Sequence, residues 1–154
     1  MAKQITGPGD IRLQTTKAFP AAAANNQSDG LAIGGGAEYA RRGGLLILRI
    51  PANSTLVDDK SITAKIQHSA DDGDVDDYAD VACLGAVAVT GMDANGTPVD
   101  GVPGAYEVLT NGDVLITWPC PHGLKEWVRA HVAVEADGGN LTGIEYAFSY
   151  APIA

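Results

Sequence analysis

A strict two-residue alternation of apolar and polar side chains across residues 126–150 constrains this chain more than any other feature. In the run Glu126–Glu135, Val128, Ala130, Val132 and Val134 alternate with Trp127, Arg129, His131 and Glu135. A period of two sends the aliphatic residues to one face of a sheet and the charged and aromatic ones to the other. A second run alternates Ile144, Tyr146, Phe148 and Tyr150 against Glu145, Ala147 and Ser149. Between them, ADGGN contains two glycines and an asparagine, which adopt positive φ cheaply. The two runs therefore read as an antiparallel hairpin with one greasy face that needs a second layer to cover it.

Other stretches supply that layer. Leu45–Ile50 is a near-continuous apolar run ended by Pro51, which predicts a central strand buried on both faces. Ile62, Ala64 and Ile66 alternate with Thr63, Lys65 and Gln67 as a half-exposed strand. Tyr78–Thr90 reads as a longer strand region bent at Gly85. Tyr106–Leu109 and Val114–Trp118 flank Asn111-Gly112, a pair that favours a primed turn and predicts a second hairpin. Four alanines at Ala21–Ala24 are too few to nucleate a helix, and no helical period occurs elsewhere. Nor is there any β-α-β alternation. About eight strands at this spacing predict an all-β, two-sheet antiparallel sandwich, for which jelly-roll and immunoglobulin-like arrangements fit the pattern equally.

At 154 residues the chain is one domain long, enough to bury roughly 70% of its unfolded surface. Residues 1–43, rich in Gly, Ala, Asn and Ser, read as an extended N-terminal arm with one short strand near Ile11–Thr16. The sandwich domain is then 44–154. Charge divides in a similar place. Residues 1–50 carry six bases against three acids, and residues 51–154 carry four against sixteen, within a net charge of −9. So acidic a body repels a phosphate backbone, which argues against nucleic acid as a partner. The basic segment instead suits an acidic protein neighbour, with Arg12, Lys17, Arg41 and Arg42 as the expected contacts. Trp127 and Arg129 share the polar face of their strand, which leaves one of them exposed or the face covered by the arm or by a second subunit. No apolar core of a signal peptide is visible in Met1–Pro20, and no run approaches the ~18 apolar residues of a membrane helix. A soluble cytoplasmic product with no membrane partner is the expectation.

Several patterns bear on chemistry. Asp72, Asp74 and Asp76 have the one-apart spacing of a calcium loop, but Asp77 stands where that loop needs glycine and Cys83 where it needs glutamate. A solvated acidic loop is the expected reading, with those three aspartates the candidates for any cation. Cys120 and His122 form a Cys-x-His pair, yet Cys83, His68 and His131 provide no second pair at zinc spacing. Cys83 and Cys120 themselves fit either one bridge or two buried thiols. Asp93, Asp100, Glu107, Asp113 and Glu126 are carboxylates of the kind glycoside hydrolysis needs, with nothing to mark a pair. Trp118, Trp127, Tyr146 and Tyr150 are candidates for a sugar-stacking platform. No phosphate loop, nucleophile elbow or triad signature is present, so neither an enzyme nor a cofactor is expected.

Three segments resemble a known family. KAFPAAAANNQSDGLAIGGG, IPANSTLVDDKSITAKIQHSADDGDVDDYADVA and KEWVRAHVAVEADGGNLTG, in that order, are similar to an arm, a strand–loop–strand unit and an aromatic-Val-Arg strand. Together, over about residues 17–150, they resemble the jelly-roll cement, or decoration, proteins of tailed bacteriophage capsids. The resemblance implies a jelly roll, a homodimer or next a trimer, attachment to the outside of the major capsid protein shell, and no catalysis. It places the protein on the virion exterior, and in the host cytoplasm during assembly. Ser69, Ala70, Asp71, Trp127, Val128 and Arg129 match framework positions and carry over no functional role, while the acidic insertion Gly73–Asp77 departs from the family's short loop. The rival expectation is a carbohydrate- or receptor-binding sandwich module.

Overall fold

Alternating side chains become two facing sheets in the computed structural model, which describes residues 3–7, 10–34, 44–91, 106–108 and 113–151. In chain order the strands are β1 (Lys3–Gly7), β2 (Asp10–Ala18), β3 (Asn25–Gln27), β4 (Leu31–Ala32), β5 (Leu45–Ile50) and β6 (Ser61–Ser69). They continue with β7 (Ala79–Asp80), β8 (Val87–Gly91), β9 (Tyr106–Val108), β10 (Val114–Pro119), β11 (Trp127–Val134) and β12 (Glu145–Ala151). No helix occurs among the described residues. One sheet runs β1-β2-β12-β5-β10 and the other β3-β11-β6-β8-β9, with β4 also on β11 and β7 also on β6. Pairing is antiparallel throughout except between β8 and β9, which is parallel. The all-β, two-sheet antiparallel sandwich expected from the sequence is the fold.

The core lies between the sheets. Leu46, Leu48 and Ile50 of β5, and Tyr146, Phe148 and Tyr150 of β12, are fully buried on one side of it. Ile62, Ala64 and Ile66 of β6, and Val128, Ala130 and Val132 of β11, are fully buried on the other. Phe19 packs tilted on Tyr146 with ring centroids 5.1 Å apart, a favoured aromatic geometry.

Four expectations need correction. First, β11 and β12 do not form a hairpin. β11 pairs with β6, β3 and β4, whereas β12 pairs with β2 and β5 in the opposite sheet. The chain between them arches across the roughly 10 Å gap that separates packed sheets. Leu141, fully buried, closes that end of the core. Positive φ falls at Asp137 (63°) and Gly139 (99°), as the turn composition suggested, but it serves an arch. Likewise β9 and β10 belong to different sheets, and Asn111-Gly112 lies outside the described residues.

Second, the described strands of segment 1–43 are built into the two sheets. β2 lies inside the first sheet, six residue pairs long against β12, while β3 and β4 line the free edge of β11. Phe19, Leu31 and Ile33 are core residues. Third, β5 is central but buried on one face only. Leu45 and Ile47 are partly exposed and Arg49 is exposed on the outside. Fourth, Tyr78–Thr90 is not one bent strand but β7 and β8 with a turn between them.

Candidate binding site

On β11 the buried Val128 and Ala130 alternate with half-buried Trp127 and Arg129, so these two stand on the outer face of their sheet. Three segments meet around them. β6 ends at Ser69 opposite Trp127, and Gln67 lies opposite Arg129. The acidic loop then returns the chain to Tyr78, and the link between β3 and β4 passes alongside Trp127. The result is an open cleft of about 500 Å³ lined by Ser28, Asp29, Gly30, Asp72, Tyr78, Trp127 and Arg129.

The acidic loop is built as a capped turn. Asp71 is its hub: its carboxylate accepts the backbone N–H groups of Asp74 (3.1 Å), Val75 (2.9 Å) and Asp76 (3.1 Å). Hydrogen bonds from Val75 foremost, with Asp76, Ser69 and Asp74, hold its carboxyl below the usual carboxylate range against an opposing desolvation. Ser69, fully buried, donates its hydroxyl to the Asp76 carbonyl (2.6 Å) and accepts the Gly73 N–H (2.8 Å). Asp72 and Gly73 take positive φ, as Asx-type turns permit.

The calcium-like spacing therefore does not converge. Asp76 is committed to the Lys125 ammonium (2.7 Å) and the Ala70 N–H (2.7 Å), with Lys125 the larger cause of its lowered pKa. Asp72 Oδ1 accepts the Tyr78 hydroxyl (2.7 Å), and Asp74 is exposed. Among the described residues no three His, Cys, Asp or Glu side chains group as metal ligands. Burial first, and the Asp72 hydrogen bond second, raise the Tyr78 phenol pKa, so the hydroxyl stays a donor.

Arg129 is held on two sides. Its Nε donates to Gln67 Oε1 (2.9 Å), and its guanidinium carbon lies 4.0 Å from the centre of the Tyr78 ring. That stacking fixes the plane of the fork where Arg129 lines the cleft. Gly30 abuts this assembly so closely that a Cβ there would collide with Asp72 Oδ1 and the Tyr78 hydroxyl, and lie 3.2 Å from Trp127 Cε3. Only glycine fits.

The other expected contacts are scattered. Lys17 shares the core-facing side of β2 with buried Thr15, opposite Tyr146. Arg12 is placed as a backbone position in β2 opposite Ile5. Arg41 and Arg42 lie outside the described residues. Of the four aromatics considered as a platform, Trp118, Tyr146 and Tyr150 are core residues, and only Trp127 is accessible. Of the carboxylates considered, Asp113 pairs with Arg49 (3.1 Å) and accepts the Ala52 N–H (3.0 Å), and Asp93 and Asp100 are outside the description. Cys83 and Cys120 are both free, and Cys83 is exposed rather than buried.

The opposite sheet has a different outer face. Gln14, Ile47, Arg49, Leu115, Ala147 and Ser149 line a concavity of about 330 Å³ there, with Leu115 55% exposed. Tyr78 and Asp29, which complete the cleft, escaped sequence reasoning as site residues, and Asp72 was singled out only as a cation candidate. The signal available was Gly30 inside SDG, a glycine where no strand turn required one. Compared with protein-family models and with curated proteins, the chain matches none.

Proposed function

We propose that this protein is a capsid cement protein of a tailed bacteriophage, non-enzymatic, which binds the outside of the major capsid protein shell and bridges neighbouring capsomers. The observation that carries the reading is the outer face of the β2-β12-β5-β10 sheet. Leu45, Ile47, Ala147 and Ser149 are partly exposed there, Leu115 is largely so, and Arg49 is neutralised by Asp113. A broad sheet face with few uncompensated charges suits burial against another protein. The strand order supports the finer reading as well. β2-β12-β5-β10 facing β3-β11-β6-β8 is the order that a jelly roll gives to eight strands, an architecture that viral capsid and lectin domains share. The resemblance over residues 17–150 points the same way.

In this role each copy adds contact area, and the symmetry of the shell multiplies weak contacts into a strong one. Self-association belongs to the reading, as a homodimer first and a trimer next. Attachment is tested by co-sedimentation with expanded heads assembled from the major capsid protein of the same genome. Saturable pelleting is expected, and Leu115→Lys lowers the apparent affinity at least tenfold, about 1.4 kcal/mol, without lowering the melting temperature. Protein that stays in the supernatant at every concentration would refute the proposal.

A further inference from the structure

We infer that the cleft formed by Trp127, Arg129, Tyr78, Asp72 and Gly30 is a binding site for a neutral saccharide. This function is separate from shell attachment, because the cleft opens on the sheet opposite the face assigned to the shell.

The chemistry of the lining selects the ligand class. A sugar ring presents an apolar C–H face and a rim of hydroxyls, each of which both donates and accepts. Trp127 supplies the only accessible indole among the described residues, as the other tryptophan, Trp118, is buried. Beside it, the terminal guanidinium nitrogens of Arg129 are donors that no carboxylate among the described residues pairs with. Asp72 gives one oxygen to Tyr78 and keeps the other as an acceptor. Donor, acceptor and stacking surface therefore converge on one concavity, and each is fixed in place before a ligand arrives. Arg129 is clamped between Gln67 and Tyr78, Asp72 is tied to Tyr78, and the absence of a side chain at Gly30 lets Asp72 and Tyr78 close in on the 28–30 link. Preorganisation of this kind lowers the ordering cost of binding.

Charge and size exclude the competing classes. Asp72 and Arg129 offset each other in formal charge, and Asp29 has a partner of its own, so the cleft offers no excess positive charge to phosphate, sulfate or acidic sugars. At about 500 Å³ the cleft lies within the roughly 300–1,000 Å³ of small-ligand sites. A stable protein partner needs about 800 Å² on each side, far more than seven residues of an open cleft provide.

The test uses the full chain on an array carrying neutral, sialylated and sulfated glycans, followed by titration of Trp fluorescence with lactose, cellobiose and chitotriose. Retention of neutral glycans is expected, with a fluorescence change that Trp127→Phe abolishes. Arg129→Gln and Gly30→Ala are expected to weaken retention at least tenfold while the melting temperature stays near that of the parent. Should Gly30→Ala unfold the loop, Arg129→Gln, which leaves the backbone untouched, decides alone. Leu115→Lys leaves glycan retention unchanged, so failure of this site and failure of shell binding are separable. Retention of no neutral glycan, retention indifferent to Arg129, or preference for sialylated or sulfated glycans would each overturn the inference.

Discussion

Removing residues 1–43 tests how the two layers are held together. The segment contributes β2 to one sheet and β3 and β4 to the other, and its Phe19, Leu31 and Ile33 are each at most 2% exposed. Burying one such side chain stabilises by about 1.5–3 kcal/mol, so the three together contribute about 5–9 kcal/mol as an upper estimate. Whole domains are stable by only about 5–15 kcal/mol. The deletion also strips β12 of its β2 partner and β11 of the bonds at Ser28–Ala130 (2.9 Å) and Ile33–Glu126 (2.8 Å). It leaves two unpaired edges that invite aggregation. The expected result is that residues 44–154 alone show no cooperative urea transition by far-ultraviolet circular dichroism and elute as aggregates. A monodisperse fragment whose urea midpoint equals that of the full chain would refute the interleaved architecture.

Three further outcomes follow from individual groups. Ser69→Ala leaves the Gly73 N–H and the Asp76 carbonyl without their partner, and is expected to cost about 1–3 kcal/mol in urea denaturation. Acid should destabilise in two stages. His68 and His131 are held below the ordinary value of 6.5, first by burial, so the unfolded chain binds more protons and stability falls as pH drops below 6.5. Asp71, Asp76, Asp80 and Glu135 are lowered by their hydrogen-bond donors, so a second loss begins as pH falls through about 4. A urea midpoint flat from pH 7 to 3 would contradict both. Finally, burial pushes the Cys120 thiol up to about 11, so at pH 8 a disulfide reagent should modify exposed Cys83 quickly and Cys120 only slowly. Equal rates would show that Cys120 is open to solvent.

Period-two patterning was legible wherever one face of a strand is buried. Ile62, Ala64 and Ile66, and the valines of β11, lie on the side their alternation assigned. What alternation does not specify is the pairing partner, because a strand with one greasy face satisfies it equally as half of a hairpin or as the far side of an arch. That is why Val134 and Glu145 end in different sheets. β3 was invisible for another reason. Asn25, Asn26 and Gln27 have no strand propensity to read, and tertiary contacts hold them, among them the bond from the Tyr146 hydroxyl to Asn26 Oδ1 (3.0 Å). In the candidate site, the outward placement of Trp127 and Arg129 was legible. Their meeting with Tyr78, Asp72 and Gly30 depends on long-range pairing of β11 with β6 and β4. In the acidic loop the one-apart spacing has no structural part, since Asp71, outside that set, carries the turn.

The most direct test of the proposed role is electron cryomicroscopy of expanded heads with and without the protein. The account predicts added exterior density that fits this sandwich across capsomer boundaries, with Ile47, Leu115 and Ala147 turned toward the shell and the Trp127 cleft toward solvent. Heads of unchanged density, or a sandwich seated on its Trp127 face, would contradict it.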